Sequence, residues 1–180
     1  MATTAAGTPY VESSDLVANY PGVSLALANH IDTIGKVLQV VRATDVTNRN
    51  TTSTSFVDVT GMSVTITLEK ITSSILLIAT GDGQNINSTN DECRASYRIA
   101  DSSNNGISGA QSITYGVANM AGSGTRAAQY GLSIFGYVTP NTLSAVTYKL
   151  RFLSFSASMT AILYNGSNSS GQMFAIEVAA

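Results

Sequence analysis

The sequence predicts an all-β protein, a jelly-roll-like antiparallel β-sandwich that follows a short N-terminal arm. Three observations support this fold class. Between Val37 and Val178, apolar and polar residues alternate with a period of two, which is typical of strands with one buried face. Turn-forming residues, such as those at 104–106 and 165–166, separate segments of strand length. No helical period intervenes between these segments, which favours a sandwich of eight to ten strands.

The clearest strand signals lie between Lys36 and Gly81. Met62–Leu68 alternates apolar and polar residues, which predicts a strand with one buried and one solvent-exposed face. Ser55–Thr60 precedes it and is expected to be a separate strand. Ile75–Ile78 is an unbroken apolar run, which predicts burial on both faces.

Loop and turn residues set the bounds of the other expected strands. Thr44–Thr54 is polar and predicts a loop, and Gly81–Gly83 predicts a tight break. The expected strands beyond those already named are Val37–Ala43, Ser73–Thr80, Cys93–Asp101, Ser112–Val117, Gln129–Thr139, Ala145–Phe155, Met159–Tyr164 and Gln172–Val178.

Residues 1–35 form an arm ahead of the head domain at 36–180. A short helix is expected from Ser24, with one apolar stripe and an end at Gly35. A helix of this length is marginal alone in water, so it must dock on the head, on sister copies or on a larger scaffold. The candidate docking residues of the arm are Tyr10, Leu16, Val17, Tyr20, Val23, Leu27, Ile31 and Ile34.

Several late strands carry more apolar surface than one core can use. Tyr130–Val138 and Val146–Phe155 both place aromatic or aliphatic side chains on each of their two faces. Surplus apolar faces in a charge-poor chain predict contact between subunits. The candidate oligomer-interface residues are Phe135, Tyr137, Leu153, Phe155, Ile162 and Phe174.

Composition excludes several classes of function. Only 11% of residues are charged and the net charge is −2, which argues against nucleic-acid binding. Cys93 is the single cysteine, so no intrachain disulfide is expected, and it is either a buried strand residue or a reactive thiol. The opening MATTAAGTPY lacks the pattern of a secretory signal, and no apolar stretch is long enough for membrane insertion.

The search for catalytic chemistry predicts no enzyme and no cofactor. His30 is the only histidine, and it lies in the arm rather than beside a candidate nucleophile. The acidic residues Asp82, Asp91, Glu92 and Asp101 are the only cluster that suggests a glycosidase. With oxygens from Asn87 and Asn90 they also suggest a Ca²⁺ site, but their spacing fits no known loop, so no metal site is predicted.

Four cations are expected to share strand faces. Arg94 and Arg98 alternate on the Cys93–Asp101 strand, and Lys149 and Arg151 alternate on another. They either form a weak anion-binding face, or are solvated or paired with Asp91, Glu92 and Asp101.

Part of the sequence resembles a segment that recurs in tail-fibre and other appendage proteins of tailed bacteriophages. Residues 37–41 read VLQVV, residues 56–67 read FVDVTGMSVTIT, and residues 73–77 read SSILL without the lysine usual there. Residues 8–41 are similar to the lead-in of virion proteins from marine and cyanobacterial phages.

The resemblance implies a homotrimeric fibre or spike of a virion, with an N-terminal attachment arm and a jelly-roll head similar in shape to C1q- and TNF-like trimers. It implies partners among other virion proteins in the tail, collar or capsid, and for some heads a host glycan or protein. Alternatives are a purely architectural capsid decoration or tail adaptor, and a carbohydrate-binding module, for which Asp82–Asn90 and Gly122–Arg126 are the loops to examine. No catalytic residue transfers from the resemblance.

Overall fold

The computed structural model describes residues 2–3, 9–10, 24–25, 37–88, 92–117, 125–166 and 169–179. Residues 24–25 are helical, and the rest of the expected arm helix lies outside the described residues. No helix in the described part of the chain is long and apolar enough to cross a bilayer. The strands are β1 Ala2–Thr3, β2 Pro9–Tyr10, β3 Val37–Asp45, β4 Arg49–Thr51, β5 Val57–Ile66, β6 Ser74–Asn87, β7 Cys93–Asp101, β8 Ile113–Val117, β9 Arg126–Val138, β10 Val146–Ser154, β11 Met159–Tyr164 and β12 Gly171–Val178.

Eight of these strands form two antiparallel sheets in jelly-roll order. Sheet one runs β3-β12-β6-β9 and sheet two runs β5-β10-β7-β8. Numbered among themselves along the chain, these strands lie in the orders 1-8-3-6 and 2-7-4-5, which is the interleaving of two Greek keys. The β11 and β4 strands extend sheet one, and β1 pairs only with β2. The predicted all-β, jelly-roll-like fold class is confirmed.

The 14-residue β6 is the central strand of sheet one. One of its edges pairs with β9 from Ile75 to Asn87, while the other pairs first with β12 and then with β11. Ile75 and Leu77 point into the core and are fully buried. Leu76 and Ile78 point outward and are only half-buried, so in the single chain the predicted two-faced burial holds for one face.

The two sheets enclose one core, which is closed by hydrogen-bonded tyrosines. Tyr97 of β7 is fully buried, and its hydroxyl lies 2.9 Å from that of Tyr130. Tyr130 in turn donates a 2.5 Å hydrogen bond to the Asn85 side-chain oxygen, and its ring stacks on Tyr115 at 4.9 Å. Burial raises the pKa of both Tyr97 and Tyr130, the latter to about 12, so both stay neutral and can donate.

The expectation of two separate strands at Ser55–Thr60 and Met62–Leu68 is wrong, because both segments belong to the single strand β5. Gly61 has a φ of +86°, and the pairing with β10 shifts register at this point. The glycine therefore produces a bulge that bends the strand without reversing it. A Cβ at Gly61 would also lie 2.9 Å from the Asp45 carboxyl carbon, so the position requires glycine.

The expected break at Gly81–Gly83 is also wrong, since β6 continues through it with partners on both edges. Gly83 is needed for space rather than for a turn, because the Tyr130 ring lies where its side chain would be. The expected loop Thr44–Thr54 contains the end of β3 and the short strand β4.

Glu177 is a fully buried carboxylate that fixes the connection between β5 and β6. It accepts hydrogen bonds from the Gln39 side chain at 2.6 Å and from the backbone N–H groups of Glu69 and Lys70 at 3.0 and 3.2 Å. Burial raises the pKa of Glu177, but these hydrogen bonds outweigh it and hold the pKa below its ordinary value. The ionised form therefore stabilises the fold.

We expect Glu177→Gln to lower the free energy of unfolding by about 2 kcal/mol at pH 7, because a charged acceptor is lost while its donors stay buried. The folded pKa lies below the unfolded value, so this stabilisation is present above about pH 4.3 and is lost as the pH falls through the folded pKa. Urea denaturation at pH 7 and pH 3, at one protein concentration, measures both effects. Glu69→Gln, an exposed carboxylate in the same connection, is the matched control and should change little. An equal loss for Glu177→Gln at both pH values would contradict this role.

Candidate functional site

The outward face of sheet one carries a continuous apolar surface, which we call the apolar face. Two cross-strand rows run across it: Leu76 pairs with both Ile176 and Tyr137, and Ile78 pairs with both Phe174 and Phe135. Neighbouring pairs of this kind place their side chains about 5 Å apart, so the rows form one surface rather than isolated residues. The apolar face comprises Val40, Leu76, Ile78, Phe135, Tyr137, Phe174 and Ile176.

The apolar face is open to solvent in the single chain. Val40 and Phe135 are each 56% exposed and Tyr137 is 57% exposed. Arg42, which pairs with Phe174, is the one charged side chain in these two rows. Contiguous exposed apolar surface in a soluble protein marks a site that another surface covers.

The six residues predicted for an oligomer interface divide between the two sheets. Phe135, Tyr137 and Phe174 belong to the apolar face, and Ile162 lies farther along the same outward face on β11. Leu153 and Phe155 belong to sheet two instead, where the Phe155 ring lies 4.5 Å beneath the Arg94 guanidinium. The structure therefore brings four of the six together on one side of the sandwich, and their role in a subunit contact stays a prediction.

The structure describes no side chain of the eight residues predicted to anchor the arm. Tyr10 lies in the short strand β2, and nothing is described of its side chain. The other seven, Leu16, Val17, Tyr20, Val23, Leu27, Ile31 and Ile34, lie outside the described residues, as does His30.

A groove of about 520 Å³ lies beside the apolar face on sheet one, lined by Asp82, Gly83, Gln129, Tyr130, Gly131, Tyr164, Gly166 and Ser169. Its floor is open at Gly131, where a Cβ would have no protein atom within 4 Å. The Asp82 side chain is exposed, and its carboxylate makes no hydrogen bond or ion pair with another described residue. The groove therefore offers a carboxylate, an amide and a tyrosine ring, which suit a neutral polar ligand better than an anion.

The predicted acidic cluster does not assemble. Asp82 lies in the groove of sheet one, whereas Glu92 and Asp101 lie at opposite ends of β7 in sheet two. Glu92 pairs with Arg94, and Asp101 accepts hydrogen bonds from Asn105. Asp91 lies outside the described residues. Within the described ranges, no group of three or more His, Cys, Asp or Glu side chains could hold a metal ion.

The outward face of sheet two is charged, and it carries the four predicted cations Arg94, Arg98, Lys149 and Arg151. The ammonium of Lys149 and the guanidinium of Arg151 share Asp58, at 2.8 and 2.6 Å. Burial raises the pKa of Asp58, but the two cations outweigh it and hold the pKa below its ordinary value. Sequence reasoning missed Asp58 as their partner, because the pairing of β5 with β10 cannot be predicted across the Gly61 bulge.

Cys93 is fully buried at the start of β7. Burial raises the pKa of its thiol, which disfavours the reactive thiolate. Of the two roles considered from the sequence, the geometry favours a structural residue.

Cys93 should therefore react at least about tenfold more slowly with dithionitrobenzoate in the native protein than after unfolding in guanidinium chloride. The absorbance of the released thiolate at pH 8 measures both rates. One thiol per chain in the unfolded sample is the internal control. Equal rates in the two samples would show that the site is open and the thiol reactive.

Comparison with known proteins identifies no family for this chain. No family model matches the sequence, and no curated protein matches it. Similar solved chains come from infectious bursal disease virus. One from a viral particle is 16% identical over 79% of this chain and 36% of its own, with a TM-score of 0.28. One from derived T=1 particles is 15% identical over 81% and 37%, with a TM-score of 0.32.

A mutant VP2 protein of the same virus is 11% identical over 78% of this chain and 39% of its own, with a TM-score of 0.28. The chain thus spans less than half the length of these viral chains. TM-scores of this size establish neither shared ancestry nor shared function.

Proposed function

We propose that this chain is a non-enzymatic structural protein of a bacteriophage virion, a homotrimeric fibre or spike head held to the particle by its N-terminal arm. The apolar face is the single observation that supports it best. Two rows of outward aromatic and aliphatic side chains do not pack in the core of their own chain. A permanent subunit contact would bury them. The sequence resemblance supplies the virion setting.

In the proposed trimer, sheet one of each subunit faces the threefold axis. A threefold ring joins two different surfaces of neighbouring subunits, and the apolar face has two unlike halves. The β6–β9 half carries two aromatic rings and no charge, whereas the β3–β12 half carries one aromatic ring, that of Phe174, and the charged Arg42. Each contact would pack the first half of one subunit against the second half of the next.

The area of sheet one bounds the size of these contacts. Four strands about 4.8 Å apart and eight residues long cover roughly 500 Å² in projection. Side-chain relief raises the accessible area above the projected one. Because each subunit divides this face between two neighbours, its two contacts together approach the roughly 800 Å² per partner of one standard stable interface.

The purified chain should have three times the chain mass of 18.7 kDa by light scattering at micromolar concentration. Phe135→Asp should shift it to the single-chain mass, because it places a charge in the centre of the buried contact. Leu143→Asp is the matched control, since Leu143 is 54% exposed in the loop between β9 and β10, outside the two rows of the apolar face, and should leave the mass unchanged. Circular dichroism should show that both variants keep the β fold. A monomeric wild-type chain, or a trimeric Phe135→Asp variant, would contradict the proposal.

Deletion of residues 1–33 should leave a folded trimer that no longer joins particles, because the head carries the trimer contact and the arm carries the attachment. Incorporation into particles grown with the truncated chain, followed by immunoblotting, measures this. Normal incorporation would show that the arm is not the anchor. Loss of the trimer would show that the arm, rather than the apolar face, holds the subunits together.

The position of the chain on the particle separates host attachment from a purely architectural role. Electron microscopy of labelled particles would place an attachment head at the tip of a tail or head fibre. A decoration or adaptor protein would instead lie on the capsid lattice or in a collar ring. Either position is compatible with the trimer, so this experiment tests the role and not the assembly.

A further inference from the structure

The groove on sheet one is built on a single cross-strand row. Tyr164 of β11 pairs directly with Asp82 of β6, and Asp82 pairs directly with Gly131 of β9. Side chains of directly paired residues lie on one face of a sheet, about 5 Å apart. Gln129, two residues before Gly131 on β9, points to the same face. All four residues line the groove, so the register brings a carboxylate, a ring and an amide together in one place.

The polar groups of this site are available to a ligand. The side chains of Asp82, Gln129 and Tyr164 are exposed, and none of them makes a hydrogen bond or an ion pair with another described residue. The Asp82 carboxylate only accepts hydrogen bonds, and its two oxygens suit two neighbouring donors. The Gln129 amide both donates and accepts. The Tyr164 ring adds an apolar surface beside the carboxylate.

Glycines leave the room that a ligand needs. Gly131 places no side chain next to Asp82, and a Cβ added there would have no protein atom within 4 Å. Gly83 and Gly166 also line the groove. Its volume of about 520 Å³ lies within the range of small-molecule sites. No lysine or arginine of the described residues lines it, so an anion has no charged partner there.

We propose that this groove binds a neutral saccharide. Two neighbouring ring hydroxyls donate to the Asp82 carboxylate, the apolar face of the sugar ring packs on Tyr164, and Gln129 bonds a further hydroxyl. Hydrogen bonds to an ionised acceptor are stronger than those between neutral groups, so Asp82 is the main polar contact. A small cation would use Asp82 alone, and an ion pair at an exposed carboxylate contributes little. A saccharide uses the carboxylate, the ring and the amide together.

The inference does not depend on the proposed trimer. Asp82 follows Ile78 by four residues on β6, which places it about 13 Å farther along the strand. The groove thus lies past the end of the two rows of the apolar face, and a contact that covers only those rows leaves it open. Saccharide binding would add a ligand to the proposed fibre head, and a failure of either proposal would leave the other standing.

Saturation-transfer NMR of the full chain with methyl glucoside, methyl galactoside and methyl mannoside tests the proposal. At least one glycoside should bind, with the strongest transfer at the ring C–H protons that pack on Tyr164. Butylammonium chloride, a cation without hydroxyls, should not displace it. The Phe135→Asp variant should bind it as well, and binding by that variant alone would support the site and show that the assembly covers it. No binding of any glycoside by either chain, or displacement by butylammonium, would overturn the proposal.

Two pairs of variants localise the site. Gly131→Leu should raise the dissociation constant of the glycoside at least about tenfold, because it fills the groove at a position where a side chain meets no protein atom. Ser133→Leu is its control, since Ser133 is exposed on the same face of β9 and does not line the groove. It should change the constant less than about twofold.

Asp82→Asn keeps the shape of the side chain and removes the charged acceptor, so it should also raise the dissociation constant at least about tenfold. Glu69→Gln, which neutralises an exposed carboxylate outside the groove, is its control. Circular dichroism should show that all four variants keep the β fold. Equal effects within either pair, or no effect of Gly131→Leu, would overturn the assignment of the site.

Discussion

The pairing of β6 on both of its edges is the constraint on which the rest of the fold depends. Among the described strands, β9 pairs only with β6, and β11 and β12 do not pair with each other. Without β6, sheet one would separate into three parts. Because its side chains alternate, the same strand supplies Ile75 and Leu77 to the core and Leu76 and Ile78 to the outward face. The continuous apolar run at the centre of the sheet therefore contributes side chains both to the core and to an outward apolar surface, which only contact with another surface can bury.

The two outward faces of the sandwich have opposite chemistry, and this difference suggests a division of roles. Sheet one presents aromatic and aliphatic rows with a single charge, which suits a permanent contact with copies of the chain. Sheet two presents four cations and two carboxylates, and the carboxylates of Asp58 and Glu92 pair with three of the cations. In the proposed assembly the first face is turned to the axis and the second to the surroundings. The low overall charge of the chain makes the cations of sheet two a local feature rather than a general property.

Sequence reasoning predicted the strands well where alternation was clean and both ends carried turn residues. Cys93–Asp101 and Met159–Tyr164 were predicted with the bounds that the structure has. It failed at Gly61 and Gly83. The sequence alone does not distinguish a glycine that forms a bulge, or one that leaves space for a neighbouring ring, from a glycine that forms a turn.

The candidate sites were predictable only in part. The outward aromatic residues Phe135 and Tyr137 followed from alternation within one strand. That Arg98 faces Arg151, and that Asp58 lies between Arg151 and Lys149, depends on the register between strands distant in sequence. Register is set by packing and bulges and leaves no local signal. The same holds for the groove on sheet one, whose lining comes from three separate segments.

Hydroxyl-radical footprinting of the native chain, read residue by residue by mass spectrometry, tests the central claim that the apolar face is covered. In the single chain Phe135 and Tyr137 are as exposed as the loop residue Leu143. If copies of the chain bury the face, Phe135 and Tyr137 should be oxidised several-fold more slowly than Leu143 after correction for intrinsic reactivity, and dilution to dissociate the subunits should remove the difference. Oxidation of Phe135 and Tyr137 at the rate expected for open side chains, at concentrations where the protein is otherwise folded, would contradict the account.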